Sequence, residues 1–184
     1  MTLGTSRIHE ATSTILDMTQ HASGASTSAG ELTHIDDSGN AHMVDVTDRD
    51  LSVRTATAVG RVVLSPTVVS MLRDNSVPKG DVLATARIAG IMATKRTPDL
   101  IPLCHPIAIH GVTLDIVTTD SGVDIQVMVK TADRTGVEME ALTAVSVAAL
   151  TVIDMVKAID PGAQIMDVGV IEKDGGRNGL WTRK

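Results

Sequence analysis

A cysteine and a histidine stand side by side in the segment LCHP, which ends at Pro106. Cys104 is the one cysteine of the chain, and three interpretations are open for it. It could be a nucleophile with His105 as its base, half of a metal site, or a small packed residue without chemistry. Pro106 disfavours helical backbone at His105 and predicts an extended segment or a turn. The chain has no Cys-x-x-Cys or His-x-x-x-His spacing, so no metal site is predicted.

Two carboxylates lie close together in the segment GVEMEA, as Glu138 and Glu140. Residues two apart point about 200° away from each other on a helix, but to the same side of an extended segment. If both serve one site, the following helix therefore begins after them, at about Ala141. The alternative is that they are carboxylates at the positive N-terminal end of the helix.

An acid and a base lie three residues apart in the apolar segment TVIDMVKAI, as Asp154 and Lys157. This spacing places both on one helical face, where an ordinary ion pair contributes a few tenths of a kcal/mol. Apolar neighbours would make either charge costly alone, which equally favours a perturbed acid and base pair. Lys79 precedes a helix that begins near Val82, where it is either a solvated lysine or a cation beside an anion-binding helix end.

The order of elements follows from periodicity and from the turn residues. Alternating Val and Thr favour strands, helical spacing of apolar residues favours helices, and Asp120-Ser121-Gly122 predicts a hairpin. Ser65 and Pro66 open a short helix, and Pro98 is expected to end the next one. The predicted elements are a strand over 51–64, a helix within 79–100, a hairpin over 112–133, a helix over 136–159 and a strand over 164–172.

This order, βαββαβ, is that of an α+β ferredoxin-like sandwich, an antiparallel sheet with helices on one face. The helix over 136–159 carries apolar or small residues in nearly every direction, more than one sheet face can cover. We therefore expect a second subunit to cover the remainder.

Composition limits the class of protein. We expect a mobile tail over 1–30, in which Ser, Thr, Ala and Gly make up more than half, followed by a single domain over 31–184. A net charge of -6 and a single aromatic residue, Trp181, argue against nucleic-acid binding and against an anionic membrane. No uninterrupted apolar run approaches the roughly 18 residues of a membrane span, and one cysteine excludes an internal disulfide. A cytoplasmic protein is expected.

Four blocks occur together in one order: LTHIDDSGNAHMVDV, then KGDVLATARIAGIMATKRTPDLIPLCHP, TGVEMEALTAVSVAALTVIDMVKAI and a glycine-rich end. Over these blocks the chain resembles the cyclic pyranopterin monophosphate synthase family of molybdenum cofactor biosynthesis. The resemblance implies a ferredoxin-like lyase that converts 3',8-cyclo-7,8-dihydroguanosine 5'-triphosphate to cyclic pyranopterin monophosphate and pyrophosphate. It also implies a cytoplasmic homohexamer, a trimer of dimers with active sites between subunits. No cofactor is required, although Mg²⁺ could accompany the triphosphate.

The resemblance also implies residue roles. Asp154 and Lys157 are expected to carry the proton chemistry, and Lys79 with His105 to stabilise phosphate and supply protons. The expected catalytic residues are Asp154, Lys157 and Lys79. The expected substrate-binding residues are Leu103, Cys104, His105, Glu138, Met139, Glu140 and Lys173.

The glycine-rich end departs from the family's usual pattern, because Arg177 and Asn178 stand where Lys and Ser are common. A guanidinium keeps its proton, so phosphate binding is expected there and acid/base catalysis is not.

Two other functions remain open on the residues alone. A non-catalytic ferredoxin-like module could bind a small ligand between subunits, since this fold hosts many functions. It would have no need of the acid and base at Asp154 and Lys157. A metal-dependent hydrolase could instead use His42, His105, Glu138 and Glu140.

Overall fold

The computed structural model describes residues 38–184 of the chain. The expected tail over 1–30 lies outside the described residues, so it and the boundary at residue 31 stay predictions. The chain divides into two units, Met1–Asp45 and Val46–Lys184. In the described part of the first unit, 38–45, the chain makes a turn at Ser38 and forms no helix.

Nine helices and strands make up the described part of the second unit. In chain order they are β1 (Ser52–Val63), α1 (Pro66–Arg73), α2 (Val82–Thr94), α3 (Thr97–Leu100), β2 (Gly111–Thr118), β3 (Gly122–Asp133), α4 (Glu138–Val156), β4 (Gln164–Asp174) and β5 (Trp181–Thr182).

The sheet has the strand order β2-β3-β1-β4-β5, and every neighbouring pair is antiparallel. Its first four strands have the order and connections of the ferredoxin-like fold, with α1 to α3 between β1 and β2 and α4 between β3 and β4. The predicted α+β sandwich is therefore confirmed. The two-residue strand β5 extends the sheet beyond β4 and was not predicted.

The core is aliphatic and closely packed. Ala56, Ala58 and Val62 of β1 contribute to it, and α4 buries Ala144, Val145, Ala148 and Val152 completely. The α2 and α4 helices pack against each other, so α2 covers part of the α4 surface that was expected to need a second subunit.

Two glycines, Gly60 in β1 and Gly90 in α2, permit the close approach of α4 to the sheet and to α2. At Gly60 a Cβ atom would lie 3.1 Å from the Val168 side chain and even nearer to Val145 of α4. At Gly90 in α2 it would lie 2.9 Å from the carbonyl oxygen of Ala144.

Three local predictions need correction. Pro98 does not end the helix over 79–100, because that helix already ends at Thr94 and Pro98 lies in the first turn of α3, where its missing N–H has no cost. Ser65 has the expected extended N-cap backbone, but its side chain makes no capping bond. Its own N–H donates to Asp160 Oδ2 at 2.6 Å instead. Finally, α4 begins at Glu138 and not at about Ala141.

The α4 helix is the single helix among the described residues that is long and apolar enough to cross a membrane, with a mean hydropathy of 1.7. More than half of this segment is buried inside the domain. This burial is what a core helix shows when it packs on a sheet.

The contact at Gly90 predicts that Gly90→Val lowers the free energy of unfolding by about 2 kcal/mol, because the added side chain overlaps backbone that cannot rotate away. Gly162→Val is the matched control, since a Cβ atom there meets nothing closer than Asp160 Oδ1 at 3.5 Å. Thermal unfolding of both variants at one protein concentration checks the difference. Equal midpoints would contradict it.

Candidate active site

The three predicted catalytic residues meet at the C-terminal end of α4. Lys157 caps the helix, and its Nζ donates to Asp154 Oδ1 at 2.7 Å. Lys79 arrives from the loop before α2, and its Nζ donates to the Asp154 carbonyl oxygen at 2.6 Å and to Oδ2 at 3.3 Å. One carboxylate therefore lies between two ammonium groups, which leaves this cluster with a formal charge of +1.

The ionisation of Asp154 follows from this arrangement. The hydrogen bonds from Lys157 and then Lys79 lower the pKa of the carboxyl group, and the charges of both lysines lower it further. The Asp154 and Lys157 side chains are 59% and 60% exposed. Desolvation by apolar neighbours, which the sequence pattern favoured as the cause of a perturbed pair, is therefore not what acts here. Hydrogen bonding holds Asp154 as a carboxylate.

The two glutamates occupy the opposite end of α4, in its first turn. Because both are helical and two apart, they point in different directions. The later helix start, which was expected only if both served one site, is not observed, and the alternative of two carboxylates at the N-terminal end of the helix is what the structure shows. Glu138 is partly exposed, and its Oε1 accepts a hydrogen bond from Lys173 Nζ of β4 at 2.9 Å. Glu140 turns inward and is only 3% exposed.

Burial changes the acidity of Glu140 and of the nearby thiol. Desolvation is the main reason that the pKa of Glu140 is raised to about 7. A hydrogen bond from its own backbone lowers this pKa, and the charge of Glu138 raises it further. Desolvation and then the charge of Glu140 raise the pKa of Cys104. A thiol in this environment stays protonated near neutral pH, which argues against a nucleophile and for the packing role. The effect of the Glu140 charge on Cys104 also indicates that the LCHP segment lies beside Glu140.

The remaining predicted residues lie around this N-terminal end. Leu103, Cys104 and His105 belong to the loop between α3 and β2, and all three are partly buried. The Cys104 N–H donates to the Ile101 carbonyl at 3.1 Å, which turns the loop after α3. Met139 is 36% exposed on the first turn of α4.

Within one chain, the two ends of α4 form separate groups. Fourteen residues separate Glu140 from Asp154, and at 1.5 Å per residue this is roughly 20 Å along the axis. The structure therefore brings Lys79, Asp154 and Lys157 together, and Glu138 with Lys173, but it does not join the two groups in one chain.

Arg54 of β1 is a cation that the sequence pattern did not single out, and it lies beside the glycine-rich end that follows β4. Its Nε donates to the Asp133 carbonyl at 3.1 Å, and its guanidinium lies over Gly176, where a Cβ atom would be 2.9 Å from Cζ. Lys173 pairs with the neighbouring segment of β1, at Ala56. The sequence shows Arg54 only as a cation within a predicted strand. Which residues it meets depends on the register between β1 and β4, which the sequence does not give.

Over residues 38–184, no three His, Cys, Asp or Glu side chains are grouped so that they could hold a metal ion. The metal-dependent hydrolase therefore lacks a ligand set in this part of the chain.

The raised pKa of Glu140 makes stability depend on pH. Between pH 4.5 and about 7 the folded protein binds more protons at Glu140 than the unfolded chain does, so the free energy of unfolding falls as pH rises. Gln does not titrate. We therefore expect Glu140→Gln to be more stable than the parent by a margin that grows across this window to about 3 kcal/mol.

Urea unfolding at several pH values measures that margin, with Glu172→Gln on the exposed surface of β4 as the control. A margin for Glu140→Gln that does not change between pH 4.5 and 7 would contradict the proposed burial of the charge.

Comparison with known proteins connects these residues to a family. The model of the MoaC family matches residues 43–176, which include all the site residues described above. A relative from Streptomyces avermitilis, named cyclic pyranopterin monophosphate synthase, is 67% identical over 152 residues, covering 83% of this chain and 89% of its own.

Two further relatives are also named as cyclic pyranopterin monophosphate synthases. A Nocardioides protein of the same name is 60% identical over 86% of this chain and 99% of its own. A Mycobacterium bovis protein, named cyclic pyranopterin monophosphate synthase 2, is 57% identical over 89% of this chain and 98% of its own. These matches span nearly the full length of the relatives, and the family match includes both ends of α4. The chain belongs to the MoaC family.

Proposed function

We propose that this chain catalyses the cyclic pyranopterin monophosphate synthase reaction. It is a lyase of molybdenum cofactor biosynthesis that converts 3',8-cyclo-7,8-dihydroguanosine 5'-triphosphate to cyclic pyranopterin monophosphate and pyrophosphate. The observation that carries the proposal is Asp154 held between Lys79 and Lys157. Relatives that carry this name are 57–67% identical to the chain over most of its length.

The cationic end of α4 fits the phosphate chemistry. Closing an internal phosphodiester and expelling pyrophosphate develops negative charge, which the ammonium groups of Lys79 and Lys157 can stabilise. Asp154 orients both ammonium groups and is itself an ionised acceptor. Lys157 is then the proton donor and Asp154 the group that receives a proton back. His105 lies in the LCHP loop at the other end of α4, so it can assist with phosphate and proton supply only where two chains combine to form the site.

The other end of α4 fits the purine-derived ring. Such a ring presents N–H donors and carbonyl acceptors, and the first turn of α4 supplies two carboxyl groups that point in different directions, the partly exposed Glu138 and the buried Glu140. With a pKa of about 7, Glu140 can also donate a hydrogen bond at neutral pH. Leu103, Cys104 and Met139 shape the walls, and Lys173 adds a cation. The reaction requires no resident cofactor, and Mg²⁺ can enter with the triphosphate.

We propose further that each site combines two chains of a cytoplasmic homohexamer, a trimer of dimers. One chain keeps its two groups roughly 20 Å apart, whereas a two-fold dimer can place the start of one α4 beside the end of its partner. Ile88 and Met92 on α2 and Leu150 on α4 are each more than half exposed. These three apolar residues offer surface for such a contact.

The non-catalytic alternative has less support. A ligand-binding module does not need a carboxylate held between two lysines, and the relatives reported above are all named as synthases. Incubation of the purified protein with the cyclic dihydroguanosine triphosphate, followed by assay of pyrophosphate and cyclic pyranopterin monophosphate, tests the function directly. A failure to form either product would reject it.

We expect Lys157→Ala and Asp154→Asn each to lose about 10²- to 10⁴-fold in turnover, as removal of acid/base groups does. Both side chains are well exposed, so the fold should persist. Asp120→Asn is the matched control, because Asp120 is an exposed carboxylate in an ion pair with Arg73. Single-turnover rates compare the three variants, and near-native rates for Lys157→Ala and Asp154→Asn would remove both from the mechanism.

A shared site also predicts complementation between inactive variants. When Glu140→Ala and Asp154→Asn proteins are unfolded and refolded together, half of the random dimers are mixed and each contains one unmutated site. Activity should return to about a quarter of the parent value. Mixed oligomers that are confirmed by native mass spectrometry but stay inactive would place both residues in one chain's site.

A further inference from the structure

Gly136 lies two residues before α4, and its lack of a side chain has a specific consequence for Glu138. A Cβ atom built on Gly136 would overlap Glu138 Oε2 and stand 2.8 Å from its Cδ. The carboxylate of Glu138 therefore folds back over the Gly136 backbone and fills the space that any side chain there would need.

Backbone conformation does not require a glycine at this position. Gly136 is absent from the glycines with positive φ, which include Gly175 and Gly176 near the end of β4. An alanine could therefore adopt the same backbone without strain. The three heavy atoms nearest to such a Cβ atom all belong to the Glu138 carboxyl group, the farthest of them at 3.1 Å, so Glu138 is the main obstacle to a side chain.

The position of the Glu138 carboxylate in turn sets its partner. From the space over Gly136, Oε1 accepts a hydrogen bond from Lys173 Nζ at 2.9 Å, across from α4 to β4. The two side chains are 30% and 40% exposed, so the pair faces solvent and can meet a ligand. A methyl group on Gly136 would push the flexible end of Glu138 away from this place.

We propose that Gly136 is a positioning residue, which holds the Glu138 carboxylate against Lys173 so that both meet the substrate in one geometry. Gly136 touches no substrate and acts through Glu138. The kinetic part of this inference rests on the proposed function, and its structural part does not.

The structural test is a crystal structure of Gly136→Ala. We expect the fold to be unchanged and Glu138 Oε1 to lie beyond hydrogen-bonding distance of Lys173 Nζ. Gly111→Ala is the control, because a Cβ atom there meets only Lys130 Cβ, at 3.8 Å. If Glu138 stays bonded to Lys173 in Gly136→Ala, the inference is wrong, whatever the enzyme does.

The kinetic test is a double-mutant cycle of Gly136→Ala with Glu138→Ala. Each single variant should raise KM about tenfold, as expected for one charge-assisted contact, with a smaller change in kcat. In the Glu138→Ala background the methyl group has room, so Gly136→Ala should add nothing to KM and should leave the melting temperature unchanged.

Additive effects on KM would mean that Gly136 acts through some other contact and would overturn the proposal. An activity assay of the parent protein distinguishes a failure of the proposed function from a failure of the inference about Gly136. If it does not convert the cyclic triphosphate, the proposed function fails, while the crystal structure still decides the role of Gly136.

Discussion

The packing of α4 against the sheet is the interaction on which the rest of the structure depends. The chain has no Phe or Tyr, so it excludes water by close approach of small aliphatic residues. Gly60 and Gly90 leave the space that Val145, Ala144 and their neighbours use. A helix held this closely is rigid, and it fixes the distance between the groups at its two ends.

The ends of α4 differ in charge for a reason that begins with the helix itself. Carboxylates are favoured at the positive N-terminal end, where Glu138 and Glu140 lie, and a cation at the negative C-terminal end, where Lys157 caps the helix. Other elements then add Lys173 to the first end and Lys79 to the second. Each end thus combines both signs of charge, and the C-terminal end keeps the positive excess that suits a phosphate.

Glu138 and Glu140 show how burial separates two identical side chains. Glu138 stays in contact with solvent and pairs with Lys173, whereas Glu140 is enclosed beside Cys104, so its pKa rises. One turn of helix thereby provides a carboxyl group paired with a lysine and a second, buried carboxyl group that is partly protonated near pH 7. Such a difference suits a site that must accept hydrogen bonds at one atom and exchange a proton at another.

The sequence alone determined what depends on neighbours a few residues apart: the first strand, the hairpin, the long apolar helix and the three-residue spacing of Asp154 and Lys157. The order of these elements also determined the ferredoxin-like fold. Only the tertiary structure decided which distant groups meet, because Lys79 and Asp154 are 75 residues apart and Glu138 and Lys173 are 35 apart. Those contacts, like the burial of Glu140, depend on strand register and helix docking, which no local pattern of residues contains.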